Sequence, residues 1–248
     1  MHPRFYAPNL VSGGPSVDLP RDEAEHLSRV LRLGVGDQVQ VFDGRGREYR
    51  GRVELAERAR ARVAIEGPVT PAAEPSVPLT LVQAVPKGDG MDRIVRDAAM
   101  LGVVAIVPLV SDRTEADGRR IVASGRVGRW QRIAVASVKQ CGRAFVPAVH
   151  SPLALEACLG EVQSDGRFLL AEPGLFSTTL VSVRTLLAGP PPASAVLIVG
   201  PEGGWTDREA ELASRTGCVR LTLGPRTLRA DAAAAVAITV LQCVWGDL

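Results

Sequence analysis

The sequence is poor in the residues that build metal centres, disulfide frameworks and membrane spans. Among 248 residues there are three histidines and four cysteines, and no two cysteines form a C-x-x-C pair. We therefore expect no metal site and no disulfide framework, and we expect ordinary buried thiols. No run approaches the roughly 20 apolar residues that cross a bilayer, and the first residues contain no signal-peptide core. These absences predict a cytoplasmic protein with no membrane partner.

Motifs that grip nucleotide phosphates are also missing. The chain has no G-x-x-x-x-G-K-[ST] and no G-x-G-x-x-G that opens the first helix of an α/β segment, so nucleoside triphosphate and dinucleotide binding are not supported. Lysine is scarce, since Lys87 and Lys139 are the only two, and arginine supplies the other basic residues. From Arg113 to Arg143 eight basic residues oppose two acidic ones. This clustering indicates a polyanionic partner.

A proline-rich segment, "GPVTPAAEPSVP" at 67–78, divides the chain into two parts. Before it, apolar and polar residues alternate on both sides of "DGRG", which predicts a hairpin in a small β-barrel. Further upstream, "LPRDEAEHLSRVLRL" predicts a helix that buries Ala24, Leu27, Val30 and Leu31 and leaves two arginines outside the buried stripe. We place the barrel at 1–70, a linker at 71–78 and a second domain at 79–248.

The second domain has the pattern of a mostly parallel α/β sheet. Buried helix positions at Met91, Ile94, Val95 and Ala98 follow one apolar strand and precede another. The predicted strands are "LTLVQAV", "VAIVPLV", "RFLLAEP", "AVLIVGPEGG" and "VRLTLGP". Because strands alternate with helices, including a basic amphipathic helix in "GRVGRWQRIAVASVKQCG", the sequence predicts an α/β fold for this part.

A glycine-rich loop follows one of these strands directly. In "VLIVGPEGGWTDREAELA", Thr206 and Glu209 have the spacing of a capping box for the next helix. Ligands of α/β sheets bind beyond the carboxyl ends of the strands, and glycines there let the backbone approach a ligand closely. Glu202 has two interpretations: it accepts hydrogen bonds from a base or ribose, or it is a solvated residue in a tight connection.

The stretch "LGPRTLRADAAAAVAITVLQ" predicts a terminal helix from about Asp231 to Trp245 with no charged residue after its first position. Such a helix is buried within its own domain or at a subunit interface. Arg226 and Arg229 stand just ahead of its positive end, where a cation is disfavoured, so a functional role for Arg229 is favoured. Asp231 is interpreted as the helix cap, with catalysis as the alternative.

These motifs together resemble the RsmE family, bacterial methyltransferases of the SPOUT superfamily that act on N3 of a uracil in 16S ribosomal RNA. The resemblance spans the whole chain. It rests on "RFYAP", "HLSRVLRLGVGDQVQVFDGRG", "KGDGMDRIVRDAAMLGV", "QCGRAFVP", "VGPEGGWTDRE" and "LTLGPRTLRADAAAAVAITVLQ".

The resemblance implies a PUA-like RNA-binding β-barrel followed by a SPOUT-type α/β domain with a C-terminal trefoil knot. It also implies a homodimer, S-adenosyl-L-methionine as the methyl donor, and 16S ribosomal RNA of the small subunit as the partner. By the same resemblance the donor pocket is assigned to residues of the two C-terminal loops. These are Leu197, Ile198, Gly200, Pro201, Glu202, Gly203, Gly204, Leu223, Gly224, Pro225, Leu228 and Arg229.

Four positions depart from the usual family pattern. Met100 and Lys139 stand where glutamates are common, Asp231 is a shortened acid, and Ala232 replaces a hydroxyl residue. A mechanism that needs those particular groups is therefore in doubt, whereas Glu202, Arg226 and Arg229 are intact.

Methylation of uracil N3 requires loss of a proton and stabilisation of charge on the uracil oxygens. Arg229 is the candidate that stabilises the anion or holds its phosphate, because a guanidinium stays charged and offers a fixed fork of donors. For the general base, Glu202 is favoured over Asp231, and water-assisted proton loss remains an alternative.

RNA contacts are expected from arginines of both domains, each with a solvated-surface alternative. The candidates are Arg4, Arg29, Arg32, Arg113, Arg129, Arg132, Gln140, Arg143 and Arg226. Phe5 and Tyr6 stack on a base or, as the favoured alternative, pack in the barrel core. Two other functions stay open: a catalytically idle RNA-binding protein of this fold, and a methyltransferase with another RNA target.

Overall fold

The computed structural model describes residues 2–115, 117–172, 180–187 and 189–247. The chain forms two compact units. The N-terminal unit comprises Met1–Glu74 and Val135–Val146, and the α/β unit comprises Pro75–Ala134 and Pro147–Leu248. The segment Val135–Val146 thus belongs to the first unit although it lies far along the chain.

The N-terminal unit is built on one five-stranded sheet. Its strands are β1 (Arg4–Tyr6), β2 (Ser16–Asp18), β3 (Gln38–Phe42), β4 (Glu48–Ala56) and β5 (Ala61–Val69), in the order β1-β3-β4-β5-β2. β1 pairs with β3 in parallel, and the other pairs are antiparallel. The hairpin predicted at "DGRG" is confirmed, because β3 and β4 pair across it and Gly44 and Gly46 have positive φ there.

The helix predicted upstream of this hairpin differs in its second half. An α-helical turn, α1 (Arg21–Glu25), continues as a π-helical turn from His26 to Val30. The wider turn moves the apolar periodicity out of register, so Ala24 and Leu27 are buried as predicted but Val30 and Leu31 are exposed. The burial predicted for Val30 and Leu31 is therefore wrong.

The proline-rich segment begins as a strand rather than as a linker. β5 extends through Pro68 to Val69, and Pro68 is paired with Tyr49 of β4. On its other side β5 pairs with β2 only from Arg62 to Ala64, so at Pro68 β5 is an edge strand. A proline is tolerated in an edge strand. The proline content of the segment therefore did not reveal that β5 continues into it.

The α/β unit confirms the predicted alternation of strands and helices. Its strands are β6 (Leu79–Ala84), β7 (Ala105–Val110), β8 (Ala148–Val149), β9 (Leu153–Ala154), β10 (Gly166–Leu170), β11 (Val181–Ser182), β12 (Ala195–Val199) and β13 (Val219–Thr222). They form one parallel sheet in the order β11-β13-β10-β12-β6-β7-β8, with β9 also paired to β7. The central strand β12 is wholly apolar and buried, and β6 is buried at every position but Thr80, as expected of a parallel sheet covered on both faces.

Helices connect these strands. They are α2 (Gly90–Met100), α3 (Gly118–Ala123), α4 (Arg126–Cys141), α5 (Leu155–Glu161), α6 (Val183–Leu186), α7 (Asp207–Arg215) and α8 (Ala230–Trp245). The predicted buried face of α2 is confirmed, since Met91, Ile94, Val95 and Ala98 are all buried. α4 belongs to the α/β unit up to Ala134 and to the N-terminal unit from Val135.

The terminal helix α8 is apolar but not buried on every side of this chain. Ala233, Ala237, Ile238 and Leu241 lie in the core. A second stripe is exposed, at Ala232, Val236, Thr239 and Cys243. The spacing of that stripe follows the turns of the helix, so the exposed residues form one continuous face.

The cysteines and histidines form no special site in the described residues. All four cysteines are described and none is in a disulfide; Cys158 and Cys218 are buried, Cys141 is partly buried, and Cys243 is exposed. Burial raises the pKa of the Cys158 thiol to about 11. Within the described ranges there is no group of three His, Cys, Asp or Glu side chains that could hold a metal ion, and no helix that could span a bilayer.

Candidate functional site

Five adjacent parallel strands of the α/β unit, in the order β13-β10-β12-β6-β7, end at the same edge of the sheet. The connections that follow them meet there, as the position of ligand sites in α/β sheets predicts. A cavity of about 350 Å³, which we call the loop cavity, opens at this edge. The loops after β12 and β13 contribute Gly200, Pro201, Glu202, Gly204, Leu223, Gly224, Arg226, Leu228 and Arg229 to its wall.

Two glycines of the loop after β12 are fixed by close neighbours. A side chain at position 200 would place its Cβ 2.9 Å from the ring of Trp205, which is buried and donates a hydrogen bond to the Leu170 carbonyl at 2.9 Å. Gly204 has φ +71°, and a Cβ there would lie 3.2 Å from a carboxylate oxygen of Glu172. Only glycine fits both positions, so the loop backbone itself forms part of the cavity wall.

A buried carboxylate holds this loop in place. Thr206 and Glu209 form the predicted capping box at the start of α7, which confirms that prediction. The Glu209 carboxylate also accepts a hydrogen bond from the backbone N–H of Asp112, at 2.9 Å, in the loop after β7. One side chain therefore ties two strand-end loops together.

The start of α8 differs from the cap predicted from the sequence. The N-cap residue is Arg229, which makes no capping hydrogen bond from its side chain. Asp231 lies within the first turn, and its carboxylate accepts a hydrogen bond from Arg93 at 3.0 Å. The interpretation of Asp231 as the helix cap is therefore wrong; its charge instead faces the positive helix end and the Arg93 guanidinium.

The electrostatic surroundings of Asp231 keep it ionised. The hydrogen bond from Arg93 lowers the pKa of the Asp231 carboxyl, and the Ala232 N–H and the charge of Arg229 act in the same direction. The Arg229 guanidinium lies 3.7 Å from Asp231, yet 87% of its side chain remains exposed. Asp231 is thus a weak proton acceptor, and Arg229 keeps most of its donors available to a ligand.

Eight of the twelve residues predicted to bind the donor lie on the wall of the loop cavity: Gly200, Pro201, Glu202, Gly204, Leu223, Gly224, Leu228 and Arg229. The other four do not. Leu197 and Ile198 are fully buried in β12, because inner strand positions face the packed core. Gly203 borders a second cavity instead, and Pro225 is exposed beside the loop cavity without lining it.

Two arginines predicted to contact RNA are instead buried in the N-terminal unit. Arg4 forms a two-pronged ion pair with Glu48, at 2.8 and 2.9 Å, and donates to three backbone carbonyls of the 138–143 segment. Arg143 is 4% exposed and is paired with Glu74 at 2.5 Å. Their donors are committed to the fold, so the structure gives both residues a structural role rather than an accessible surface for phosphate.

The remaining RNA candidates are exposed. They are Arg29, Arg32, Arg113, Arg129, Arg132, Gln140 and Arg226. Arg113 donates to the Gly203 carbonyl at 2.7 Å, and Arg129 is paired with Asp92. Arg32 has φ +54° and is the one non-glycine residue in the left-handed region among those described.

Lys139, one of the departures from the family pattern, has an acidic partner. Lys139 pairs with Glu23 at 2.6 Å and lies over the ring of Phe5, with its Nζ 5.3 Å from the ring centre. Phe5 is fully buried, which confirms the core alternative for this residue, whereas Tyr6 is partly buried against Phe42. Lysine at position 139 is therefore matched by an acid within its own unit.

Sequence reasoning missed several residues of the loop cavity wall. Arg93, Glu172 and Trp205 all line it. Glu172 and Trp205 follow β10 and β12 by a few residues, and their place at the ends of predicted strand segments was a usable signal. Arg93 lies on α2, and only the fold brings it to Asp231.

Comparison with known proteins agrees with this architecture. A model of the RNA methyltransferase domain matches residues 73–242, and one of the RNA methyltransferase PUA domain matches residues 19–66. A ribosomal RNA small subunit methyltransferase E from Synechocystis is 33% identical over 92% of this chain and 73% of its own length. The Mycobacterium bovis protein of the same name is 32% identical over 97% of this chain and 92% of its own length.

Solved structures show the same fold. A ribosomal RNA small subunit methyltransferase E from Neisseria gonorrhoeae, bound to S-adenosyl methionine, superposes with a TM-score of 0.85, 33% identity and full coverage of both chains. A chain from Legionella pneumophila, solved with the bound cofactor SAM, superposes with a TM-score of 0.87 and 30% identity over 98% of each chain. With these matches over nearly the whole sequence, the chain belongs to the RsmE family of small-subunit ribosomal RNA methyltransferases.

Proposed function

We propose that this protein transfers a methyl group from S-adenosyl-L-methionine to N3 of a specific uridine in 16S ribosomal RNA of the small subunit. The observation that carries the proposal is the loop cavity, formed where two family loops follow β12 and β13, the parallel strands on either side of β10. Its volume of about 350 Å³ is within the range, about 300–1,000 Å³, of small-molecule pockets. The family relatives solved with this donor support the same assignment.

The residues present fit the donor. A side chain at position 200 or 204 would crowd Trp205 or Glu172, so at these glycines the main chain itself lines the cavity and a ligand can contact it. Leu223 and Leu228 offer apolar surface, and Glu202 and Asp231 offer acceptors on the same wall. Bound there, S-adenosyl-L-methionine supplies an electrophilic methyl group on a positively charged sulfur.

The chain's own residues then have two tasks. We assign charge stabilisation to Arg229, whose exposed guanidinium stands at the cavity and can donate to a uracil oxygen or a phosphate. We assign removal of the N3 proton to Glu202, which lines the cavity and whose Oε1 accepts a hydrogen bond from the backbone N–H of Lys87 at 3.1 Å. Asp231 is the weaker candidate, because its pairing with Arg93 lowers its pKa.

The assembly belongs to the same proposal. We infer a homodimer in which the exposed apolar stripe of α8, at Ala232, Val236, Thr239 and Cys243, is covered by a second copy. We also propose that the two C-terminal loops form the trefoil knot implied by the family, that the N-terminal unit is the RNA-binding PUA-like barrel, and that the protein works in the cytoplasm. Family membership supports these assignments.

The test is incubation of the purified protein with labelled S-adenosyl-L-methionine and small ribosomal subunits that lack the modification, followed by nucleoside analysis of the 16S RNA. We expect stoichiometric 3-methyluridine at one site. Label at another base would identify a methyltransferase with a different target. No label, with donor binding shown by calorimetry and competent subunits, would refute the activity on this RNA, and absence of donor binding as well would favour a catalytically idle RNA-binding protein.

A further inference from the structure

A second cavity lies beside the loop cavity and is not explained by donor binding. We call it the basic cavity; its volume is about 540 Å³. Pro86, Lys87 and Glu202 border both cavities. The residues that line only the basic cavity are Val85, Gly88, Arg113, Glu115, Arg126 and Gly203.

Two guanidinium groups in the basic cavity are held in place without being neutralised. Arg113 donates to the Gly203 carbonyl at 2.7 Å and Arg126 to the Gly88 carbonyl at 2.8 Å, and each carbonyl belongs to a loop that borders the cavity. Arg126 also lies 5.5 Å from the ring centre of Trp130, which further fixes it. In the described part of the chain no carboxylate is within ion-pair distance of either arginine. Their remaining donors are thus available to an anion.

The third cation is held by an exchangeable partner. Lys87 pairs with Glu115 at 2.5 Å, and both side chains are about two-thirds exposed, at 65% and 69%. Exposed ion pairs of this kind contribute little to stability. The hydrogen bond and charge of Glu115 raise the pKa of Lys87, so the ammonium stays charged at neutral pH. An incoming anion can therefore replace Glu115 at low cost.

The chemistry of the basic cavity selects a phosphate rather than the methyl donor. Three cations outnumber the carboxylates of Glu115 and Glu202 on this wall, so the cavity disfavours the donor's sulfonium and ammonium groups, and only the donor's carboxylate suits it. A phosphodiester fits better, because it offers two charged oxygens to guanidinium groups that are already oriented. RNA is the polyanion that the proposed function brings to this edge of the sheet, and Glu202 is shared with the cavity where the methyl group is transferred.

We propose that the basic cavity binds a backbone phosphate of the target RNA next to the uridine being methylated, through Lys87, Arg113 and Arg126. In the free protein the Glu115 carboxylate is paired with the Lys87 ammonium, and the RNA phosphate displaces it on binding. This inference rests on the proposed function, since it takes the polyanion to be the RNA substrate.

The test separates RNA binding from donor binding. Lys87→Gln and Arg126→Gln are compared with Arg120→Gln, which removes a charge from an exposed side chain that lines neither cavity. For each variant, donor affinity is measured by calorimetry, and the KM for unmodified small subunits is measured at several salt concentrations. We expect a rise in KM of about tenfold for both test variants and a salt slope that is smaller by about 0.7–0.9 for each phosphate that is no longer neutralised. Donor affinity should change less than about twofold in Arg126→Gln, because Arg126 lines only the basic cavity. The KM of Arg120→Gln should also change less than about twofold.

Glu115→Gln should change the KM for small subunits in the opposite direction. Because it removes the competitor for Lys87, it should lower the KM for small subunits by about twofold or more, with donor affinity unchanged. The proposal is overturned if Lys87→Gln and Arg126→Gln behave like Arg120→Gln, or if Glu115→Gln raises KM. It is also overturned if Arg126→Gln weakens donor binding instead, which would place the donor carboxylate in this cavity.

Failure of the proposed function gives a different result. If the wild-type protein binds the donor but does not methylate small subunits, the same variants are compared in salt-dependent binding of 16S RNA, measured by retention on filters. Weaker binding with a smaller salt slope in the two test variants still supports the phosphate site. Equal binding in all variants, or no RNA binding by the wild type, overturns it.

Discussion

The arginines of the N-terminal unit and those of the loop cavity have opposite surroundings. Arg4 and Arg143 are almost fully buried, and each faces a carboxylate across at most 2.8 Å. Arg229 is 87% exposed and stands ahead of a helix start that repels it, and Arg226 is exposed beside it. The buried ion pairs of Arg4 and Arg143 explain why the fold needs those two arginines, whereas among the residues that the structure describes no buried contact of that kind explains Arg226 and Arg229. Burial and pairing, rather than residue type, therefore distinguish a structural arginine from a candidate functional one.

The largest effect is expected where an arginine supports the fold. Replacing Arg4 by methionine leaves the Glu48 carboxylate, 2% exposed, without its partner. We expect the free energy of unfolding to fall by about 3–5 kcal/mol, measured by urea denaturation. Arg21→Met is the matched control, because its pair with Glu25 is exposed, and it should change stability by less than about 0.5 kcal/mol. If Arg4→Met lowered the free energy of unfolding by less than about 1 kcal/mol, burial and pairing would no longer distinguish structural arginines from candidate functional ones.

A smaller effect, with opposite signs for stability and activity, is expected at Arg229. Serine at this N-cap position can accept a hydrogen bond from the first turn of α8 and removes a cation from its positive end. We expect Arg229→Ser to raise the free energy of unfolding by about 0.5–1 kcal/mol. The methylation rate should fall at least about tenfold at saturating donor.

The control for that variant is Arg215→Ser, which removes an exposed arginine from the last turn of α7. It should leave the methylation rate within about twofold. An unchanged rate for Arg229→Ser, with donor affinity intact, would refute the assigned role.

The smallest effect is expected at Arg32, whose φ of +54° favours glycine. Arg32→Gly relieves backbone strain but gives the unfolded chain more freedom, so stability should change by less than about 1 kcal/mol. If Arg32 binds an RNA phosphate, affinity for small subunits should fall by about threefold or more and the salt slope should decrease by about 0.7–0.9. Arg32→Lys keeps the charge and should keep the affinity; equal affinities for both variants would place Arg32 among the solvated residues.

Much of the fold followed from local patterns. The buried runs of β6, β7, β10, β12 and β13, and the buried face of α2, were all predictable from apolar spacing. The capping box at Thr206 was predictable because its two residues are close in sequence. The loop cavity was found for the same reason: its two main loops directly follow recognisable strands.

What could not be predicted depends on partners that are far apart in sequence. Arg4 is buried because Glu48 and the 138–143 segment surround it, and no local pattern separates it from an exposed arginine. The Arg93–Asp231 pair joins two helices across the α/β unit. A π-helical turn alters the periodicity from which burial at Val30 was inferred. Contacts of this kind are set by tertiary structure, which local propensity does not encode.

The hydrogen bonds of Glu209 have a consequence for how the protein takes up its ligands. Its carboxylate joins the N-cap of α7 to the backbone of Asp112, so the glycine-rich loop and the loop after β7 hold one shape before any ligand arrives. Ordering a loop upon binding costs conformational entropy, which lowers affinity. In these two loops the hydrogen bonds of Glu209 already fix the backbone. Ligand binding to them therefore costs little further ordering.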